Sequence, residues 1–553
     1  MTTPSPASRP RLPQRLRTAL KWLPWLLLLA LLADHAWLML EWASRDFGFA
    51  LPVFSGAAHS VSEALERAAT DGWWRVLTSH EPTPFAWPAV AMLRLTGPDL
   101  RFLNWTNTVL MLVSMALIFD AGRLLEGAWA GLVAAAALPL LPDIALVEHR
   151  WSAGMVQLPL LLGAFDLLIR SRGLSRPLPS LGVALVGWVL LQAAGMETEN
   201  ICALAPFAAM VAAALTRSLL TGRGPVGGQR VGRILPLLFG LGVAAAATHA
   251  MLRSGHLDEA LAYVRQESSG AAYPDLAPRW SWAALTAYAR FWASTSLSPW
   301  FAAPLLVALP VWARRGAGRA ELFAWLLLPL AAFSLIAKKN PYYINLCLPA
   351  AALLLGLGLT SVRRWGLGIA LVAVTLTLGE LQWLSRSFTE AGRWRQIAAY
   401  RQIPDAEWVF QTPVRPVIHP TRVFRHGREW RMLRDRVHDS PCRGLDGPRI
   451  GVLGIGDHED LRLALAMTDP CVGAIATWPE LREHEYPRWT MVTDPSCGPG
   501  AAADDPPASP PEWWPEVQEL ERRPWIKVVA VDRSASPCLT LYDSRREPSW
   551  SPR

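Results

Sequence analysis

Four groups of ionisable residues interrupt long apolar runs in this chain, and each is of a kind that could do chemistry. Asp34 and His35 stand in ADHAWLMLEWASRDFG, with Glu41 within two turns. His80 and Glu81 stand in SHEPTP, where the prolines exclude a regular helix and imply a shaped loop. Asp143, Glu148, His149 and Arg150 crowd the segment PDIALVEHRW. Lys338 and Lys339 stand side by side in IAKKNPYYINLCLP, just before Tyr342 and Tyr343. A carboxylate that faces a water-filled cavity in an apolar helix can accept a proton, whereas one wetted at the interface is only a helix end. Both readings of Asp34 stand. The 143–150 segment has the same choice, between a solvated turn with an acid–arginine pair and the wall of a cavity shared with Asp34. The doubled lysine points to an anionic ligand, with an anionic lipid head group as the first candidate. The pair is conspicuous because only Lys21, Lys338, Lys339 and Lys527 are lysines among 53 basic residues. Tyr342 and Tyr343 read as interfacial belt aromatics.

The elements that must position these groups are membrane spans. The 553 residues are 52% hydrophobic and 18% charged, less charged than a soluble globular chain of this length. Apolar sequence fills residues 16 to about 385 and then stops. We read 1–385 as a multi-span membrane domain, with a first outer loop at about 41–100, and 386–553 as a soluble domain. A span needs roughly 17–25 apolar residues. About eleven runs qualify, near 18–40, 103–122, 128–147, 151–169, 179–195, 200–216, 234–252, 289–312, 320–337, 341–361 and 366–385. With the N-terminus inside, every inner loop carries arginine, while the outer segment METEN at 196–200 has two acids and no base. An odd number of spans then places the C-terminal domain outside the cytoplasmic membrane. The net charge of +8 sits largely in these short loops, so it is an orienting charge and not a nucleic-acid footprint. The basic N-terminus leads into an uncleaved first span rather than a signal peptide.

The soluble domain alternates short apolar runs with polar stretches. Strands are expected at 449–456, 472–478, 526–532 and 538–543, a helix at 461–467 and a loop at 497–515, which together make a small α/β domain. Its Gly-x-x-Gly-x-Gly run is not the dinucleotide fingerprint, and no nucleotide is assigned. Cys442, Cys471, Cys497 and Cys538 all lie here, an even number that suggests two disulfides outside the cytoplasm, against the alternative of four buried thiols.

DHAW at 34–37, HEPTP at 80–84, EHRW at 148–151 and KKNPYYINLCLPAAALLLG at 338–356 occur in an order that resembles the bacterial relatives of protein O-mannosyltransferases. These are membrane glycosyltransferases of the GT-C superfamily, which includes the lipid A aminoarabinose transferases. The resemblance covers roughly the first 360 residues. It implies an α-helical polytopic fold and a polyprenyl-phosphate-linked sugar donor. It also implies a protein, lipid or glycan acceptor, and inversion at the sugar carbon without a covalent enzyme intermediate. On that reading Asp34 is the base with His35 beside it. His80, Glu81, Glu148, Arg150, Lys338, Lys339, Tyr342 and Tyr343 would form the substrate contacts. The family's Asp-Glu pair is Asp34-His35 here, and its His-Pro-Pro motif is interrupted by Glu81 and Thr83. No cofactor is assigned: the second acid can hold a divalent metal in relatives, and no metal ligand is named in this chain. Two rivals remain, a transporter or flippase for a lipid-linked saccharide and a non-catalytic scaffold for envelope assembly. A transporter predicts internal repeats and midplane charges, which the sequence does not display.

Overall fold

The structure is a computed structural model. It describes residues 14–44, 101–148, 153–173, 281–292, 296–313, 319–334, 347–362, 365–388, 450–453, 475–476, 489–494, 514–524, 526–533 and 538–543, with a few isolated positions. The chain divides into two compact units. One comprises Met1–Trp42, Asn107–Glu148 and Gly154–Pro420; the other comprises Ala43–Thr106, His149–Ala153 and Thr421–Arg553.

The first unit is helical. Its elements are α1 (Gln14–Ser44), α2 (Arg101–Leu125), α3 (Ala128–Leu140), α4 (Pro142–Glu148) and α5 (Ala153–Gly173), then α6 (Trp282–Phe291), α7 (Ser298–Ala313), α8 (Arg319–Ser334), α9 (Leu348–Thr360) and α10 (Trp365–Phe388). Among the described residues, Lys21–Glu41, Trp105–Leu125 and Gly366–Leu384 are long and apolar enough to cross a membrane. Large apolar side chains such as Trp22, Leu29, Trp37, Leu306 and Ile369 lie exposed on these helices and on α7, as lipid-facing surfaces require. The spans expected at 179–195, 200–216 and 234–252 lie outside the described residues.

Two expected spans are broken. The run 128–147 divides at Leu141, which is extended (φ −66°, ψ 124°) because the following Pro142 disfavours helical geometry in the residue before it. The run 289–312 divides between α6 and α7, where Leu297 N–H bonds back to the Trp292 carbonyl and Ser298 takes φ +61°.

Helix α9 is the centre of the unit, with Leu348 to Leu359 buried throughout. Small residues let its neighbours approach to backbone distance, the usual device where lipid removes the hydrophobic drive between helices. A Cβ on Gly356 would lie 2.3 Å from the Ala130 carbonyl oxygen, and one on Gly358 would lie 2.4 Å from the Ala308 Cβ.

The contacts sort into two ends of this bundle. At one end Trp25 of α1 meets Phe119 of α2 with ring centroids 4.7 Å apart, and the Arg123 guanidinium lies 5.7 Å from the Trp25 ring. Arg123 binds Asp120 (2.5 Å), Arg170 binds Asp166 (2.7 Å), and Arg170 also pairs with Asp120. Phe165 of α5 packs on Trp325 of α8 at 5.1 Å at this end. At the other end Tyr288 of α6 meets Phe333 of α8 at 6.3 Å, and Gly379 of α10 abuts Phe301 of α7 and Leu140 of α3. Early α1 thus pairs with late α2, late α5 with early α8, and late α3 with late α10. These pairings have the alternating direction that the arginine pattern requires of successive spans.

The second unit carries a five-stranded mixed sheet, with β1 (Ile450–Leu453), β2 (Ile475–Ala476), β3 (Trp489–Asp494), β4 (Lys527–Asp532) and β5 (Cys538–Asp543) in the order β2-β1-β3-β5-β4. β1 is parallel to β2 and β3, while β5 is antiparallel to β3 and β4. Helix α11 (Trp514–Arg522) precedes β4, and its Glu521 accepts a 3.0 Å bond from the Tyr542 hydroxyl. Cys538 is disulfide-bonded.

Candidate functional site

Consecutive helical residues point about 100° apart, so Asp34 and His35 cannot do the same job. His35 turns inward and is buried. Its Nε2 lies 2.7 Å from Glu148 Oε1, with side-chain exposures of 6% and 0%. Glu148 reaches it because Pro142 ends α3 and starts the short helix α4, whose last residue is Glu148. The Glu148 carbonyl accepts a 2.9 Å bond from Asn107 Nδ2 of α2. Three helices therefore meet on one buried carboxylate residue. The first and third groups of the sequence, 113 positions apart, are in direct contact.

Asp34 stays exposed and faces a cavity of about 420 Å³ bounded by α1, α3 and α10. Leu31, Leu38, Ala136, Pro139, Leu140, Leu376 and Leu381 form its apolar wall. Its polar wall is Asp34, His35, Thr377, Glu380 and Trp383. The Trp383 ring lies 6.0 Å from the His35 ring. The arrangement can hold a polar group beside a carboxylate at the edge of an apolar bundle, with a second carboxylate, Glu380, in the same lining. Among the described residues no group of three or more His, Cys, Asp or Glu is arranged to hold a metal ion.

The reading of 143–150 as a solvated turn is corrected for its described part: Asp143 and Glu148 are buried at 2% and 0% exposure, and both sit in a helix. Glu148, expected among the substrate contacts, puts its described bond on His35 and does not line the cavity. His80, Glu81, Arg150, Lys338, Lys339, Tyr342 and Tyr343 lie outside the described residues. Three residues at the site were not anticipated, Asn107, Glu380 and Trp383. Glu380 had a signal, since a lone acid inside the apolar run TLTLGELQWL is costly in lipid and needs a reason.

No protein-family model and no curated protein sequence matches the chain. Solved structures do. ArnT from Cupriavidus metallidurans bound to undecaprenyl phosphate is 13% identical with a TM-score of 0.54, covering 94% of this chain and 98% of that one. The same protein in the apo state is 14% identical with a TM-score of 0.55, covering 96% and 98%. The oligosaccharyltransferase AglB from Archaeoglobus fulgidus, in complex with an inhibitory peptide and a dolichol-phosphate, is a looser likeness. It is 10% identical with a TM-score of 0.43, covering 84% of this chain and 69% of that one. The chain shares the fold of ArnT over nearly its whole length.

Proposed function

We propose that this chain, with its GT-C fold, is an integral membrane glycosyltransferase of the cytoplasmic membrane. It moves a sugar from a polyprenyl-phosphate donor to an envelope acceptor on the extracytoplasmic face. The observation that carries the reading is the cavity whose lining includes Asp34 and Glu380, with His35 of the buried His35–Glu148 pair in the same wall. The fold of ArnT, whose structure holds undecaprenyl phosphate, supports a lipid-phosphate donor.

In the proposed reaction an acceptor hydroxyl oxygen bonds to the sugar's anomeric carbon. The bond from that carbon to the phosphate oxygen breaks, and polyprenyl phosphate leaves with the electron pair. Asp34 takes the hydroxyl proton. His35, locked by Glu148, is a positioning residue that fixes the rotation of α1 and so aims Asp34 at the cavity. Lys338, Lys339 and Arg150 supply the positive charge that the leaving phosphate needs. Tyr342 and Tyr343 hold the sugar or anchor the interface, and His80 and Glu81 bind substrate from the first outer loop.

The test is Asp34→Asn, which keeps the shape and removes the proton acceptor. A positioned general base contributes about 10²–10⁴-fold, so sugar transfer in proteoliposomes should fall by that order, mainly in kcat. Transfer at the wild-type rate by Asp34→Asn removes Asp34 from the mechanism.

A further inference from the structure

The junction of α6 and α7 is an unusual piece of backbone in a membrane bundle. A π-type bond from Leu297 N–H to the Trp292 carbonyl closes the end of α6, and Ser298 then adopts φ +61° immediately before Pro299. Residues before proline normally avoid that region, and a side chain there is strained. Ser298 also stands at the start of α7, where a serine normally accepts a bond from the first-turn amides. Its Oγ makes no such bond, although the residue is wholly buried. Ser296 repeats the pattern, with 0% exposure and no hydrogen-bond partner for Oγ. Trp292 Nε1, which can only donate, is a third buried group without a partner among the described residues.

Three buried groups within seven residues, each able to donate, have no partner among the described residues and flank the positive end of a 16-residue helix. Buried polar groups in a bundle are normally satisfied, and broken helices persist in membranes where they line a cavity or bind a ligand. Unpartnered groups that can all donate, beside a helix N-terminus, fit an anion. The junction lies at the cavity end of the bundle: Phe301, one turn along α7, abuts Gly379, and Gly379 adjoins Glu380.

We infer that the α6–α7 junction is a phosphate-binding site in which Ser296, Ser298, Trp292 Nε1 and the first amides of α7 receive the phosphate of the lipid-linked donor. The assignment to the donor rests on the proposed function; the anion site itself does not. It is the neutral-donor counterpart of the lysine pair, which supplies charge rather than oriented hydrogen bonds.

The test is equilibrium binding of radiolabelled polyprenyl phosphate to the full-length protein in detergent, with inorganic phosphate and unphosphorylated polyprenol as competitors. The variants are Ser296→Ala, Ser298→Gly and Trp292→Phe. Glycine tolerates φ +61°, so Ser298→Gly removes the hydroxyl and the strain together and keeps the fold. Each variant should weaken polyprenyl phosphate binding by about 10- to 100-fold, the effect of one hydrogen bond to a charged group, at an unchanged or raised thermal midpoint. Polyprenol should not compete. Competition by inorganic phosphate that the variants lose shows that the head group alone is recognised. If the wild-type protein binds inorganic phosphate through these residues but not the lipid, the anion site stands and the donor reading falls. Wild-type affinity in all three variants, or a wild-type protein that binds neither phosphate, overturns the inference.

Discussion

Removing one partner of the His35–Glu148 pair should destabilise the bundle severely, and removing both should not. The groups are 2.7 Å apart and almost wholly excluded from solvent. His35→Leu leaves the Glu148 carboxylate buried without its hydrogen-bond partner, and its other oxygen already has no partner among the described residues. Breaking a buried pair from one side costs about 3–5 kcal/mol. Glu148→Leu strands His35 in the same way. The double variant replaces both by apolar groups of similar size, a change that is often neutral or stabilising. The double variant should therefore lose less than the sum of the two single losses, by about 3 kcal/mol or more. The assay is reversible unfolding in mixed detergent micelles, followed by tryptophan fluorescence. Single variants within about 0.5 kcal/mol of wild type, the range of ordinary surface substitutions, would refute the reasoning. The double variant should fold yet transfer sugar poorly, because Asp34 loses its aim.

Other outcomes follow from the same geometry. Lys338→Ala and Lys339→Ala should raise the KM for the donor more than they lower kcat, and Lys339→Arg should retain more activity than Ala, as steady-state kinetics will read. Gly358→Val should cost about 1–3 kcal/mol of unfolding free energy by forcing α9 from α7, where even a Cβ meets Ala308 at 2.4 Å. Glu380→Gln should lower transfer with little change in the thermal midpoint, because Glu380 lines the cavity rather than the core.

The sequence made the bundle legible through charge. Arginine collects at alternate loops, and the same alternation reappears in the pairing of Trp25 with Phe119 and of Gly379 with Leu140. The approach of 34–35 to 148 was legible as well, because both groups fall at one end under that alternation. Hydropathy could not reveal the breaks at Leu141 and at 292–298, since a run stays apolar whether or not its backbone is continuous. The signals were the X-Pro steps Leu141-Pro142 and Ser298-Pro299, which bias the preceding residue away from helix. Glu380 was absorbed into a long apolar run. β3 was passed over although WTMVT is aromatic and β-branched and lies between Pro487 and Pro495.

Sugar transfer from a lipid phosphate is read most directly in proteoliposomes containing the full-length protein. They are supplied with polyprenyl phosphates carrying a panel of radiolabelled sugars and with extracted envelope as acceptor. Label should move from lipid into acceptor with one of the sugars, with release of polyprenyl phosphate in equal amount and loss of both with Asp34→Asn. Folded wild-type protein that moves no label from any donor, or that moves the intact lipid-linked sugar across the bilayer without cleaving it, contradicts the account.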